Sequence, residues 1–202
     1  MVKEISKLIG NKWEEKPIYK EEVKLAHPYA IWKGVIDNWV IDKINGIKVS
    51  KEDLIDPSKT AGENVLFQTK NVVHKFDESF FEFMYHNVLP RFWGSFKRYY
   101  NIDDLYIDYI HLIKYSKGGR QKPHSHFFRE DWSFIIYLED DEEGGTVFYT
   151  DEGEKVSKSV KGNILIWPSN IIHSSLPSIN KRVVVGSIIE KNKIWLKREE
   201  DE

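Results

Sequence analysis

Four residues in the second half of the chain have types and spacing that suit metal-assisted chemistry. His124 and His126 lie two apart in the stretch Lys122-Pro123-His124-Ser125-His126. His173 follows downstream, and Arg182 comes after it at the head of the run Val183-Val184-Val185-Gly186. In an extended strand, residues i and i+2 share a face about 6.6 Å apart along the chain, so two imidazoles there can aim at one point. A third imidazole converging on them makes a metal site, and imidazole suits Zn, Cu, Fe and Ni. A His-x-His pair alone is more often two polar-face residues of a strand than a ligand pair. Arg182 adds weight, because an arginine at the edge of an apolar strand is costly to bury without a partner. A ligand carboxylate, gripped bidentately by the guanidinium, is a suitable one. Against it stands the plain alternative of a surface arginine beside Lys181.

Composition limits what can surround such a site. The chain has 202 residues, 41% of them hydrophobic and 14% aromatic, enough for a sizeable core in one domain. The net charge of −2 offers no bulk electrostatic case for nucleic acid or an acidic membrane as partner. There is no cysteine, which excludes disulfides, thiolate zinc sites and thiol nucleophiles and fits a reducing compartment. No apolar run approaches the roughly 20 residues that span a bilayer. The start, Met1-Val2-Lys3-Glu4, lacks the apolar stretch of a secretory signal. The expectation is a soluble, intracellular, cytoplasmic protein.

The elements that must position the histidines come in two textures. Residues 1–30 are mixed and charged, with Pro17 and Pro28 as breakers, and read as short strands or loops. The apolar spacing over 31–40 suits a short helix or a packed irregular segment. Residues 48–62 read as a surface loop, with Pro57 and Gly62. Residues 76–100 carry Phe80, Phe81, Met84, Val88, Leu89, Phe92, Trp93 and Phe96 at three- and four-residue steps, the stripe of a helix laid on a core. Asp77 is its expected N-cap and Pro90 its expected kink. Strand-like runs follow at 105–115, 132–138, 146–150, 155–160, 163–167 and 183–190, with a last edge strand at 194–196 and a charged tail at 199–202. Ser116-Lys117-Gly118-Gly119, the acidic stretch 139–143 and Asp151-Glu152-Gly153-Glu154 read as turns between them. Helices first and short strands after predict a mainly β, α+β fold, an antiparallel sandwich, barrel or jelly roll backed by helices. One domain spans 1–202: a helical elaboration over 1–104, a jelly-roll core over 105–190 and a tail over 191–202.

The ordered set Tyr115-x-x-Gly118, His124-x-His126, Ile135-Ile136-Tyr137-Leu138, Gly144-Gly145-Thr146-x-Phe148, Gly162-x-Ile164-Leu165-Ile166-Trp167-Pro168, His173 and Arg182 resembles the Fe(II)- and 2-oxoglutarate-dependent dioxygenases. The closest resemblance is to the prolyl-hydroxylase-type branch and the small oxygenases of phages and bacteria. It runs from about 105 to 190, and the first 100 residues carry no motif of the family. It implies a double-stranded β-helix, with Fe(II) as metal and 2-oxoglutarate and dioxygen as cosubstrates; ascorbate is the companion reductant. It implies that His124 and His173 bind iron, that Arg182 binds the distal carboxylate of 2-oxoglutarate, and that Tyr115 and Tyr137 line the cosubstrate pocket. The activity implied is hydroxylation of a substrate C–H, such as that of a prolyl or other amino-acid side chain, with release of succinate and CO2.

The chain departs from the family at one position, where His126 stands in place of an Asp or Glu. Three resolutions are open: His126 is a true ligand in a three-histidine site, Asp131 or Glu130 supplies the carboxylate, or only His124 and His173 bind. The first is favoured, and Asp131 otherwise caps the turn into the Trp132 strand. The aromatic residues Phe127, Phe128, Trp132 and Trp167 fall near the mouth, where core packing is their more ordinary use. Two other classes remain. One is a three-histidine cupin-type metal dioxygenase, or a zinc enzyme, indifferent to 2-oxoglutarate. The other is a non-catalytic β-sandwich module of structural or carbohydrate-binding type. The acidic turns read as solvated hairpins. Substrate and oligomeric state are not legible in the residues.

Overall fold

The computed structural model describes residues 30–32, 36–60, 62–90, 105–126, 132–178 and 182–190. Among these, nine strands and two α-helices form two antiparallel sheets and a helical layer. The strands are β1 (Ala30–Trp32), β2 (Gly62–Gln68), β3 (Leu105–Gln121), β4 (Trp132–Tyr137), β5 (Asp141–Thr150), β6 (Gly153–Ser159), β7 (Ile164–Pro168), β8 (His173–Ser175) and β9 (Arg182–Glu190). The helices are α1 (Asn38–Gly46) and α2 (Glu78–Phe83). The larger sheet runs β1-β7-β4-β9-β3-β2 and the smaller β6-β5-β8. This is the antiparallel jelly roll expected from the strand pattern and the double-stranded β-helix that the resemblance implies.

Strand alternation gives the larger sheet two buried faces. On one face Leu112, Phe134, Ile136, Val184 and Ile188 join Val40, Ile41, Ile44, Phe80 and Met84 of the helical layer. On the other, Ile113, Tyr115, Ile135, Tyr137, Leu165, Trp167 and Val183 pack with Phe148 of the smaller sheet. This explains why β4 is buried at every position and reads as an unbroken apolar run rather than an alternating one. The register sets rows across the inward face: Ile135 pairs with Val185 and Leu165, and Val185 pairs with His111. Gly186 lies on the helical face, where any Cβ would collide with the Phe134 ring.

Several expectations are corrected. The 31–40 segment contains β1 and the first turn of α1, not one helix. The helix from Glu78 is continuous to Pro90 but widens into a π-turn over Met84–Val88. A π-turn is a recognised way of absorbing a local irregularity in a helix, and the expected residues Phe92, Trp93 and Phe96 lie outside the described residues. Ser116-Lys117-Gly118-Gly119 does not end a strand. β3 runs through it, with Gly118 at φ 76° and Gly119 so close to the Asn64 carbonyl that no Cβ would fit. The acidic stretch 139–143 is not a solvated turn throughout. Asp141 starts β5, is buried, and accepts hydrogen bonds from the Gly144 amide (2.9 Å) and the Ser178 hydroxyl (2.7 Å). β2 was not anticipated. The 194–196 strand and the 199–202 tail lie outside the described residues. Among the described residues no helix is long and apolar enough to cross a membrane.

Asp77 caps α2 as its sequence position predicts, accepting the Phe80 amide at 3.1 Å. The Lys43 ammonium at 2.8 Å, with help from Ser79 and the Phe80 amide, lowers its pKa to about 2. A carboxylate with a depressed pKa in the folded state stabilises the fold above its ordinary pKa near 3.8. That contribution is lost as the pH falls through the folded value. Asp77→Ala should therefore cost about 1 kcal/mol at pH 7. The gap between variant and wild type in urea unfolding should narrow as pH is lowered from 4 towards 2.

Candidate metal centre

His124 and His173 meet through the backbone. Each donates its amide to the other's carbonyl at 2.9 Å, an isolated antiparallel bridge that ties the segment after β3 to the start of β8. The His126 amide donates to the Ser169 carbonyl at 2.9 Å. His126 therefore lies beyond the strand, in irregular chain. Cross-linking of main chain, not the two-residue period of a strand, aims the pair. The ring centroids stand 5.0 Å apart for His124 and His126, 4.4 Å for His124 and His173, and 5.3 Å for His126 and His173. The three ligand atoms all fall within 4.8 Å of one another.

The hydrogen bonds fix which nitrogen is available. His124 Nδ1 is 2.7 Å from the Lys122 carbonyl, and His173 Nδ1 is 2.9 Å from the Ile171 carbonyl. A carbonyl only accepts, so each Nδ1 carries the proton and each Nε2 presents its lone pair. Burial holds all three rings in the neutral form that a metal ligand needs. Desolvation lowers the His124 pKa, and that of His126 to about 4 with the charge of His124 adding to it. Desolvation takes His173 to about 3. Three neutral imidazoles fit a divalent transition metal, iron included. No carboxylate joins the cluster among the described residues, and Asp131, Glu130, Phe127 and Phe128 lie outside them.

The centre opens on a cavity of about 200 Å³ between the two sheets. Tyr115, Gln121, Thr146 and Trp167 line it from within, and Lys59 and Thr60 reach it from the loop before β2. Burial pushes the Tyr115 hydroxyl up to about 12, so it is a proton donor at neutral pH. Tyr137 belongs to the same inner core and its hydroxyl pairs with Thr146 Oγ1 at 2.7 Å; burial raises its pKa also. Of the expected residues that are described, Tyr137 and Arg182 are absent from the cavity lining, and Arg182 is taken elsewhere. Val183 and Val185 face the inner core and Arg182 shares the face of Val184. Its Nη1 donates to Asn45 Oδ1 of α1 at 2.7 Å. Arg182 was expected at the cosubstrate pocket; strand parity places it on the face of the helical layer, and it is not among the residues lining the cavity.

Sequence reasoning missed His111, which lines the cavity from β3. The signal was present, because His111 has the same odd register as Ile113 and Tyr115.

Residues 110–189 match the family model of the 2OG-Fe(II) oxygenase superfamily. No curated protein matches the chain. Among solved structures, the chain resembles a viral collagen prolyl hydroxylase of Paramecium bursaria Chlorella virus-1 in complex with 2OG. The TM-score is 0.58 at 16% identity, over 79% of this chain and 94% of that one. It also resembles a Pseudomonas putida prolyl-4-hydroxylase, with a TM-score of 0.52 at 14% identity over 81% and 93% of the two chains. A third is HygX from Streptomyces hygroscopicus with nickel and 2-oxoglutarate bound, with a TM-score of 0.60 at 8% identity over 81% and 83%. At these identities the structural likeness shows the shared fold.

Titration of Mn(II) or Fe(II) into the metal-free protein should give one site per chain. His173→Ala and His126→Ala should each weaken it by about 100-fold or more, more than loss of a neighbouring hydrogen bond would. Binding that survives in His126→Ala and vanishes in Asp131→Ala would move the third ligand to Asp131.

Proposed function

We propose, from the match of residues 110–189 to the 2OG-Fe(II) oxygenase superfamily model, that the chain is an Fe(II)- and 2-oxoglutarate-dependent hydroxylase. The observation that carries this is the convergence of His124, His126 and His173 on the wall of an inner cavity. Iron held there supplies the activation of dioxygen, coupled to conversion of 2-oxoglutarate to succinate and CO2. The chain's own residues bind and orient. His124 and His173 are oriented by the Lys122 and Ile171 carbonyls. A set of three neutral ligands leaves the metal's charge uncompensated, which strengthens its pull on an anionic cosubstrate. The protonated Tyr115 hydroxyl and the Gln121 and Thr146 side chains give the cavity polar groups for a carboxylate. Trp167 and Phe148 pack around His173, with ring centroids at 4.9 and 6.5 Å, and keep water from that side of the centre.

The substrate class proposed is a prolyl or other amino-acid side chain, as for the prolyl hydroxylases that share the fold. Ascorbate is the reductant that keeps the iron ferrous, and the protein is taken to work in the cytoplasm. A second reading is favoured by the placement of Arg182 against Asn45: a three-histidine dioxygenase that does not use 2-oxoglutarate. The two part on calorimetry, since the second binds metal but no 2-oxoglutarate.

With Fe(II), ascorbate and dioxygen, the protein should convert 2-oxoglutarate to succinate, read by mass spectrometry, and faster with proline-rich peptide present. The His173→Ala variant should show no turnover. Arg182→Met should leave 2-oxoglutarate affinity within about twofold and instead lower stability by about 1 kcal/mol, the value of one hydrogen bond. A large loss of cosubstrate affinity would return Arg182 to the pocket.

A further inference from the structure

One histidine of the inner cavity takes no part in the centre. His111 is 8% exposed, on the inward face of β3. It lines the same cavity as His124, His126 and His173. Its ligand atom is not in the cluster whose members lie within 4.8 Å of one another, so it is not a fourth ligand. Its Nδ1 stands 3.1 Å from Tyr109 Oη. Its Nε2 is buried with no hydrogen-bond partner among the described residues. Trp167 Nε1, in the wall of the same cavity, is orphaned in the same way. Buried polar groups are nearly always paired, and an unpaired one calls for an explanation. Two at one cavity beside a metal cluster share a simple one, a ligand that accepts hydrogen bonds.

We propose that His111 is a cosubstrate-binding residue, donating Nε2–H to a carboxylate oxygen of 2-oxoglutarate, with Trp167 Nε1–H as a second donor to the same molecule. This rests on the function proposed above. The required tautomer is open to the ring: a hydroxyl can donate as well as accept, and with the Tyr109 hydroxyl donating to Nδ1 the ring proton sits on Nε2. An N–H bond to a carboxylate is charge-assisted and stronger than a neutral one. The inner wall thereby meets an anion with neutral donors, with Lys59 at the cavity's edge, while the guanidinium of Arg182 is engaged at Asn45.

The test is calorimetric titration of 2-oxoglutarate into Mn(II)-loaded wild type, His111→Leu and His111→Gln, with Mn(II) affinity and thermal unfolding of each metal-free protein measured in parallel. The expected result is a Kd weakened by about 10- to 100-fold in His111→Leu, the range of a charge-assisted hydrogen bond. His111→Gln, which keeps an N–H, should recover part of it. Mn(II) affinity should be unchanged in both. The melting temperature of His111→Leu should be no lower than that of wild type, since the change removes an orphaned nitrogen. Cosubstrate affinity in His111→Leu equal to wild type overturns the inference and leaves the proposed function standing. So does a parallel fall in Mn(II) affinity, which would make His111 structural. Wild type that binds Mn(II) but no 2-oxoglutarate overturns the proposed function, and the inference with it.

Discussion

The pair of backbone hydrogen bonds between His124 and His173 is the constraint on which the site depends. Each residue lends the other an amide and a carbonyl, so their separation is set by main-chain geometry rather than by side-chain rotamers. The bridge joins the end of β3, in the larger sheet, to the start of β8, in the smaller one. It closes the mouth between the sheets at the point where the rings gather. His126 is held by the same kind of bond, to Ser169. A centre built on rigid main chain needs little reorganisation to receive a metal, and the carbonyls behind Nδ1 of His124 and His173 settle the tautomer beforehand.

The larger sheet serves two cores at once. Its inward face forms the cavity and its outward face seats the helical layer, so a single step along a strand moves a side chain from one chemistry to the other. That step separates Arg182, bonded to Asn45 in the outer layer, from Val183 in the inner one. The same alternation carries His111, Ile113 and Tyr115 to the cavity along β3. Gly186 shows the tightness of the arrangement, since the Phe134 ring occupies the space its side chain would fill.

Electrostatically the inner wall of the cavity is neutral until something enters it. Its histidines are desolvated and uncharged, its Tyr115 keeps its proton, and Lys59 stands at its edge. A metal on three imidazoles brings positive charge with no anionic ligand among the described residues to offset it. Neutral donors on the walls and a cation at the end form a natural setting for a small carboxylate.

By itself the sequence determined the fold class, the strands β3 to β7 and β9, and the three histidines that the fold brings together. Those features rest on local signals: apolar runs of strand length, glycine and proline punctuation, a cap at Asp77, and residue types with a strong preference for metals. Its family resemblance rested on the same ordered motifs. Other features were decided only by tertiary structure. The Gly118-Gly119 pair reads as a turn but lies within β3, at a break in the register with β2 where both glycines bond the Ser178 backbone instead. Asp141 reads as solvated but is buried, because Ser178 arrives from distant chain to bond it. Arg182 meets the helical layer and His111 the cavity, because the face a strand residue occupies depends on register, and register is set by neighbours far away in sequence. A one-residue difference in phase is invisible in composition and decisive in the pocket.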